Sequence, residues 1–203
     1  MEGGATPREP LRLSPARIGI LVFLASISLF VYAQTASHPF VSFDDGLYVT
    51  ENPVVKRGLT AEGAAWAFTT THASNWHPLA WISHMADVEL FGLDAGAHHL
   101  VNVLLHILDT ILLFLLLDRT TGARWRSAFV AALFAVHPLH VESVAWVAER
   151  KDLLSALFFF LALGAYGRYA ASPGALRMAA VAALFALALM AKPSVVTFPF
   201  ELK

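Results

Sequence analysis

The chain has 203 residues, of which 57% are hydrophobic and 14% are charged, whereas a soluble domain carries about 25% charged residues. This composition is typical of a membrane protein and excludes an ordinary soluble enzyme, a disordered chain and a coiled coil. The net charge of −1 and the lack of a basic stripe argue against a nucleic-acid partner, and the absence of cysteine excludes disulfides, thiolate catalysis and cysteine-rich zinc sites.

The sequence predicts an all-α membrane protein, a multi-span helical bundle with about five spans. A cytoplasmic segment, 1–17, precedes an uncharged apolar run, 18–34, which we interpret as a retained first span; the alternative is a signal peptide cleaved after the small residues near 33. The other predicted spans are 100–117, 127–141, 153–168 and 177–192. Several are shorter than the roughly 20 residues that a spanning helix needs, so we expect them to extend into the flanking turns.

A polar stretch over 35–98 separates the first two predicted spans, and it is too long for a simple connector. We expect a partly ordered external loop with two short amphipathic helices, over 61–70 and 79–91. The aromatic residues of this loop favour a position at the membrane interface.

The positive-inside rule orients the predicted bundle with its N-terminus in the cytoplasm. The inner segments then contain most of the arginines: Arg8, Arg12, Arg17, Arg119, Arg124, Arg126, Arg168 and Arg177. This orientation brings all nine histidines to the external side or to the outer half of a span. Any chemistry is therefore expected at the external face.

Asp44 and Asp45 are adjacent carboxylates about ten residues beyond the first predicted span. Mutual repulsion and partial burial both raise a carboxyl pKa, and such a group can act as a general base toward an alcohol. The alternative interpretation is a solvated turn, because Asp-Asp-Gly is common in turns.

Four polar residues, His99, Asn102, His106 and Asp109, recur at helical spacing along the second predicted span. Ionisable groups at membrane depth are costly unless they face the bundle interior or a wet cavity, so this stripe marks the inward face. Interhelical hydrogen bonding would explain the stripe without catalysis. A transporter is a further alternative, in which His106 and Asp109 relay protons or bind a solute.

Two further sets of polar residues are candidates for binding sites, one around the last three predicted spans and one in the external loop. The run from His137 through His140 to Glu142 suggests a metal site, but Pro138 breaks the helix there and no zinc-protease motif is present, so we predict no metal. Phosphate binding is the better use for Arg150, Lys151 and Lys192, with lipid head groups as the alternative. In the loop, Asn75 and His77 flank Trp76 and form either a sugar pocket or an interfacial anchor.

Taken together, these motifs resemble the membrane half of the transmembrane and tetratricopeptide-repeat (TMTC-like) family, which comprises animal O-mannosyltransferases and bacterial relatives. The resemblance covers the chain from about residue 40 to its end. It is carried by Phe43-Asp44-Asp45, Asn52-Pro53, Asn75-Trp76-His77-Pro78-Leu79, His98-His99-Leu100 with Asn102, His137-Pro138-Leu139-His140-Val141-Glu142-Ser143-Val144-Ala145-Trp146, Arg150 with Asp152, and Ala191-Lys192-Pro193.

The resemblance implies a GT-C glycosyltransferase fold and transfer of a sugar, mannose-like, from a polyprenyl-phosphate donor to a protein Ser or Thr hydroxyl. Asp44 would be the general base, with Asp45 as its neighbour or as the base itself, and basic side chains would hold the departing phosphate without a cofactor. The protein would be multi-pass, in a bacterial inner membrane or the endoplasmic reticulum, with an external or luminal active face.

The chain departs from the family pattern in two ways. It shows no 34-residue repeat, and it has fewer predicted spans than the family's bundle. Both departures suggest a fragment without the C-terminal repeat domain, in which isolated activity is doubtful. The alternative function is a non-catalytic membrane anchor for such an interaction domain.

Overall fold

The computed structural model describes residues 14–197, and within this range every regular element is helical. The α-helices are α1 (Pro15–Tyr32), α2 (Ala61–Thr69), α3 (Pro78–Phe91), α4 (Ala95–Thr121), α5 (Arg124–Val136), α6 (Val141–Ala145), α7 (Arg150–Ala171) and α8 (Ala175–Ala191). The predicted all-α membrane fold is confirmed. The two predicted loop helices are present as α2 and α3.

Length and apolar composition identify three segments that can cross a membrane: Pro15–Ser37, Ala95–Thr121 and Val147–Ala171. A fourth is obtained if α5 and the segment Pro138–Ala145, which are bent by 50° relative to each other, count as one broken span. The fifth predicted span corresponds to α8, whose 17 residues extend about 26 Å, less than the roughly 30 Å of a bilayer core. Within residues 14–197, three or four spans meet this measure, against about five predicted.

Local sequence explains where these helices begin and end. The Ser14 hydroxyl accepts the Arg17 N–H at 3.3 Å ahead of Pro15, and the Asp94 carboxylate accepts the Ala97 N–H at 3.0 Å at the start of α4. Gly122 ends α4 in the left-handed region that glycine adopts readily. The cap at Asp94 starts α4 five residues before the predicted boundary.

Helix α4 is the centre of the bundle. It packs against α1, α5 and α7, and one core cluster joins Ile20 and Leu24 of α1 to Phe114 of α4 and Ala131 of α5. At one end of α4, the Arg17 guanidinium bonds the buried Asp118 carboxylate at 2.7 Å. Arg8 and Arg12, which support the predicted orientation, lie outside the described residues.

The segment between α1 and α4 folds over the other end of the bundle, which we call the loop end. Its own core contains Tyr48, Val55 and Trp81, and it also includes Val147 and Ala148 from the turn that leads into α7. Tyr48 stacks on Trp81 with ring centroids 4.5 Å apart. This shared core fixes the acidic segment against the start of α7 and so positions the candidate site.

Candidate functional site

Asp45 is the fixed member of the acid pair. Its carboxylate is fully buried and accepts hydrogen bonds from the N–H groups of Val41 and Ala148, each at 2.8 Å. Burial raises the pKa of Asp45, although the two backbone bonds and nearby His99 lower it. Asp45 therefore ties the loop to a turn 103 residues further along the chain.

Asp44 has a different environment. It is half-buried, and no described group hydrogen-bonds its carboxylate. The preceding residue, Phe43, faces Trp146 with ring centroids 5.9 Å apart. These two rings line an open groove of about 440 Å³ together with Val41, Val141, Glu142 and Ala145. Phe43, the residue before Asp44, thus lies beside α6, which follows His137 and His140, and the Asp44 carboxylate has no hydrogen-bond partner among the described residues.

Arg150 forms the hub of a buried network instead of facing the groove. Its side chain is fully buried and donates to the Asn102 amide oxygen at 2.7 Å, the His98 carbonyl at 2.8 Å and the Ser83 hydroxyl at 3.2 Å. It also pairs with the Asp87 carboxylate. Burial raises the pKa of Asp87, while the Arg150 charge and hydrogen bond lower it. The predicted contact of Arg150 with a donor phosphate stays a prediction.

The other two predicted phosphate ligands differ in accessibility. Lys151 donates to Glu149 at 2.6 Å and lies over the Tyr48 ring, 5.0 Å from its centroid. Lys192 pairs with Asp152, and its side chain is 31% exposed, compared with 10% for Lys151. Of the three cations, Lys192 is the most accessible to a ligand.

The polar stripe on α4 divides into two parts. The upper part contacts the loop end: His99 Nε2 lies 3.4 Å from the Pro39 carbonyl oxygen, and the Asn102 amide donates to the Trp146 carbonyl at 3.1 Å. The lower part, His106 and Asp109, lines a chamber of about 360 Å³. The predicted inward face of the span is therefore occupied by structural contacts above and by a cavity below.

Asp109 is the least satisfied polar group of this chamber. It is fully buried, and neither carboxylate oxygen has a hydrogen-bond partner among the described residues. His140, Ser143, Asp152 and Ser155 also line the chamber. Helix α6 gives Ser143 to the chamber and its other face to the groove, so this short helix separates the two.

The remaining predicted residues are spread more widely. His77 is buried near the lysines, and its pKa falls to about 4 because of burial and the charges of Lys151 and Lys192. His137 is exposed and caps its own turn through the Leu139 N–H at 3.3 Å. Asn75 is exposed and bonds the Ala73 carbonyl at 2.9 Å, within its own loop.

The polar face of α3 was not predicted from the sequence. Ser83 and Asp87 bind Arg150, and His84 is fully buried between them in the chain. Their spacing over one helical turn, inside an otherwise apolar segment, was the available signal. It did not indicate the partner, because Arg150 lies more than 60 residues away in sequence.

Sequence comparison identifies similar proteins from animals. The chain is 35% identical over 181 residues to human Protein O-mannosyl-transferase TMTC1, covering 82% of this chain and 20% of the relative. It is 36% identical over 170 residues to Drosophila melanogaster Tmtc1, with 80% and 20% covered. For Xenopus laevis tmtc2 the identity is 35% over 157 residues, with 74% and 19% covered.

The chain spans about a fifth of the length of these curated relatives. No family model matches the chain, and no solved structure matches it. The similarity nevertheless extends over about four fifths of this sequence, at 35% identity to the human relative. On these grounds the chain belongs to the transmembrane and tetratricopeptide-repeat (TMTC-like) family.

Proposed function

We propose that this chain forms part of a membrane glycosyltransferase that transfers a sugar, mannose-like, from a polyprenyl-phosphate donor to a Ser or Thr hydroxyl of a protein. The observation that carries the proposal is the asymmetry of the acid pair. Asp45 is fixed by two backbone N–H groups, while Asp44 has no hydrogen-bond partner among the described residues and follows Phe43, which lines the open groove. The names of the animal relatives, protein O-mannosyl-transferases, support the reaction class.

Asp44 is the general base in this proposal. The acceptor hydroxyl gives its proton to the Asp44 carboxylate as its oxygen attacks the anomeric carbon. A new carbon–oxygen bond forms on one face while the bond to phosphate breaks on the other, so the anomeric configuration inverts. The rings of Phe43 and Trp146 offer the apolar faces on which sugars and peptides pack.

Lys192 is our choice for the group that stabilises the departing phosphate. It is the most exposed of the three predicted cations, and its partner Asp152 can be exchanged for a phosphate oxygen in a charge-assisted bond. Arg150 acts indirectly in this proposal. It holds Asn102, which bonds the Trp146 carbonyl, and so positions the wall of the groove.

The active face is proposed to be external or luminal. Arg119, Arg124, Arg126, Arg168 and Arg177 lie near the helix ends opposite the loop end, which the positive-inside rule places in the cytoplasm. The alternative function, a non-catalytic anchor, predicts an exposed acid pair remote from other polar groups. The burial of Asp45 and its bond to Ala148 favour the enzyme.

Sugar transfer by the complete protein tests this proposal. We would compare wild type, Asp44→Asn and Asp45→Asn, using mannosyl-phosphoryl-polyprenol and a Ser/Thr-containing acceptor peptide. Loss of a general base lowers rates by about 10²–10⁴-fold, so Asp44→Asn should lose transfer while it retains wild-type expression and thermal stability. Asp45→Asn should lose both transfer and stability.

Glu62→Gln is the matched control, because Glu62 is an exposed acid of the same loop. It should leave transfer unchanged. Wild-type transfer by Asp44→Asn would remove Asp44 from its role. Absence of transfer by the wild-type protein from any polyprenyl-phosphate sugar, with the protein folded, would favour the anchor.

A further inference from the structure

Three side chains that commonly bind metal ions converge between α3 and α4, away from the acid groove. His84 and Asp87 lie one helical turn apart on α3, and His98 faces them from α4. His84 and His98 are fully buried, and Asp87 is 4% exposed. One ligand atom from each lies within 4.8 Å of the other two. A buried set of two imidazoles and one carboxylate matches the ligand chemistry of zinc.

The contact between His98 and Asp87 fits a shared cation. His98 Nε2 lies 3.0 Å from the Gly92 carbonyl oxygen, which only accepts, so this nitrogen carries the proton. Nδ1 then presents a lone pair to Asp87 Oδ2 at 3.5 Å. Two ligand atoms of a tetrahedral zinc ion lie about 3.3 Å apart. An outward hydrogen bond from the second imidazole nitrogen is also the usual support for a metal-bound histidine.

His84 supplies the second, independent observation. Neither ring nitrogen has a hydrogen-bond partner among the described residues, although the side chain has no exposed surface. Buried polar atoms without partners are rare and call for an explanation. A neutral imidazole nitrogen without a hydrogen-bond partner has a lone pair to donate to a metal ion. A metal ion would satisfy this nitrogen.

The local charges also accommodate a cation. The buried Arg150 guanidinium interacts with two buried carboxylates, Asp87 and Asp45. These three groups leave one negative charge in excess when both acids are ionised. Lys151 and Glu149 pair with each other at 2.6 Å and add no net charge. Asp87 Oδ2 is the oxygen that pairs with Arg150 and also the one that faces His98.

We propose that His84, Asp87 and His98 bind one Zn²⁺ ion, which joins α3 to α4 and holds the loop end on the bundle. With ligand atoms no more than 4.8 Å apart, some point lies within about 2.8 Å of all three, so each must move by less than about 0.8 Å to reach a normal zinc bond. We assign the ion a structural role, because it would join two helices away from the acid groove, and the proposal is independent of the transferase proposal.

The test is zinc content and zinc-dependent stability of the complete protein, purified in detergent. Wild type and the control His38→Ala should each retain about one zinc per chain after dialysis, since His38 is an exposed histidine outside the cluster. His84→Ala and His98→Ala should lose it. A chelator should lower the melting temperature of wild type and His38→Ala but leave that of His84→Ala unchanged.

Cobalt substitution of the wild-type protein keeps the proposal testable if the variants do not fold. Bound Co²⁺ should give the visible absorption of a tetrahedral site in a 1:1 titration, and Zn²⁺ should displace it. Wild-type protein that contains no zinc, takes up no Co²⁺ and melts at the same temperature with and without chelator would overturn the site. Equal zinc content in wild type and His84→Ala would also overturn it.

Discussion

The ion pair between Arg150 and Asp87 gives the sharpest stability prediction. Both side chains are buried, and Arg150 also bonds Asn102, Ser83 and the His98 carbonyl. Arg150→Met leaves the Asp87 carboxylate buried and unpaired, which costs about 3–5 kcal/mol for such pairs. For a protein of this size that corresponds to a fall of about 6–20 °C in melting temperature.

A double variant tests whether the lost stability comes from the unpaired Asp87 charge. Replacing both partners, as Arg150→Met with Asp87→Leu, removes the whole ion pair and does not leave Asp87 buried and unpaired, and such apolar substitutions are often close to neutral. We therefore expect the double variant to melt well above the Arg150→Met single variant. Arg57→Met is the control, because Arg57 is an exposed arginine in the segment between α1 and α4. It should change the free energy of unfolding by less than about 0.5 kcal/mol.

The assay is thermal unfolding in detergent with chelator present, so that metal binding does not contribute. Intrinsic fluorescence is suitable because Trp81 is fully buried in the core of the loop end. If the double variant lost as much free energy of unfolding as the two single variants added together, the unpaired charge would not be the source of the loss. Melting of Arg150→Met at the wild-type temperature would contradict the buried network itself.

Two further predictions concern other buried groups. The pKa of His77 is about 4 in the fold and about 6.5 in the unfolded chain. The contribution of His77 to stability is therefore complete above pH 6.5 and is lost as the pH falls through 4, a change of roughly 3 kcal/mol. His77→Leu should reduce the dependence of the free energy of unfolding on pH over this range, and an unchanged dependence would contradict the prediction. The buried Asp109 carboxylate has no hydrogen-bond partner among the described residues. Asp109→Leu should therefore raise the free energy of unfolding by about 1–3 kcal/mol. A lower melting temperature of this variant would contradict the prediction and show that the carboxylate has a stabilising partner.

The helices of this chain were largely predictable because their signals are local. Apolar runs gave the positions of the long helices, and His137-Pro138 marked the point where α5 ends. The starts of helices were harder to predict. Helix α4 begins at Ala95 because the Asp94 side chain caps it, within a stretch that looks polar by composition.

The different environments of Asp44 and Asp45 were not predictable, because they depend in part on a contact distant in sequence. Asp44 and Asp45 are neighbours of the same type, and Asp45 differs by accepting bonds from the nearby Val41 N–H and from the Ala148 N–H, which comes from a turn distant in sequence. The buried position of Arg150 has the same origin. Its charge favoured a phosphate ligand, whereas its partner Asp87 comes from the register of α3.

The central claim is that Asp44 removes the acceptor proton at the loop end. Single-turnover sugar transfer by the complete protein, with saturating lipid-phosphate donor and with donor affinity measured in parallel, tests it most directly. We predict that Asp44→Asn lowers the transfer rate by at least about 100-fold and leaves donor affinity within about twofold of wild type, a free-energy change below about 0.5 kcal/mol. A transfer rate for Asp44→Asn equal to that of Glu62→Gln would contradict the claim.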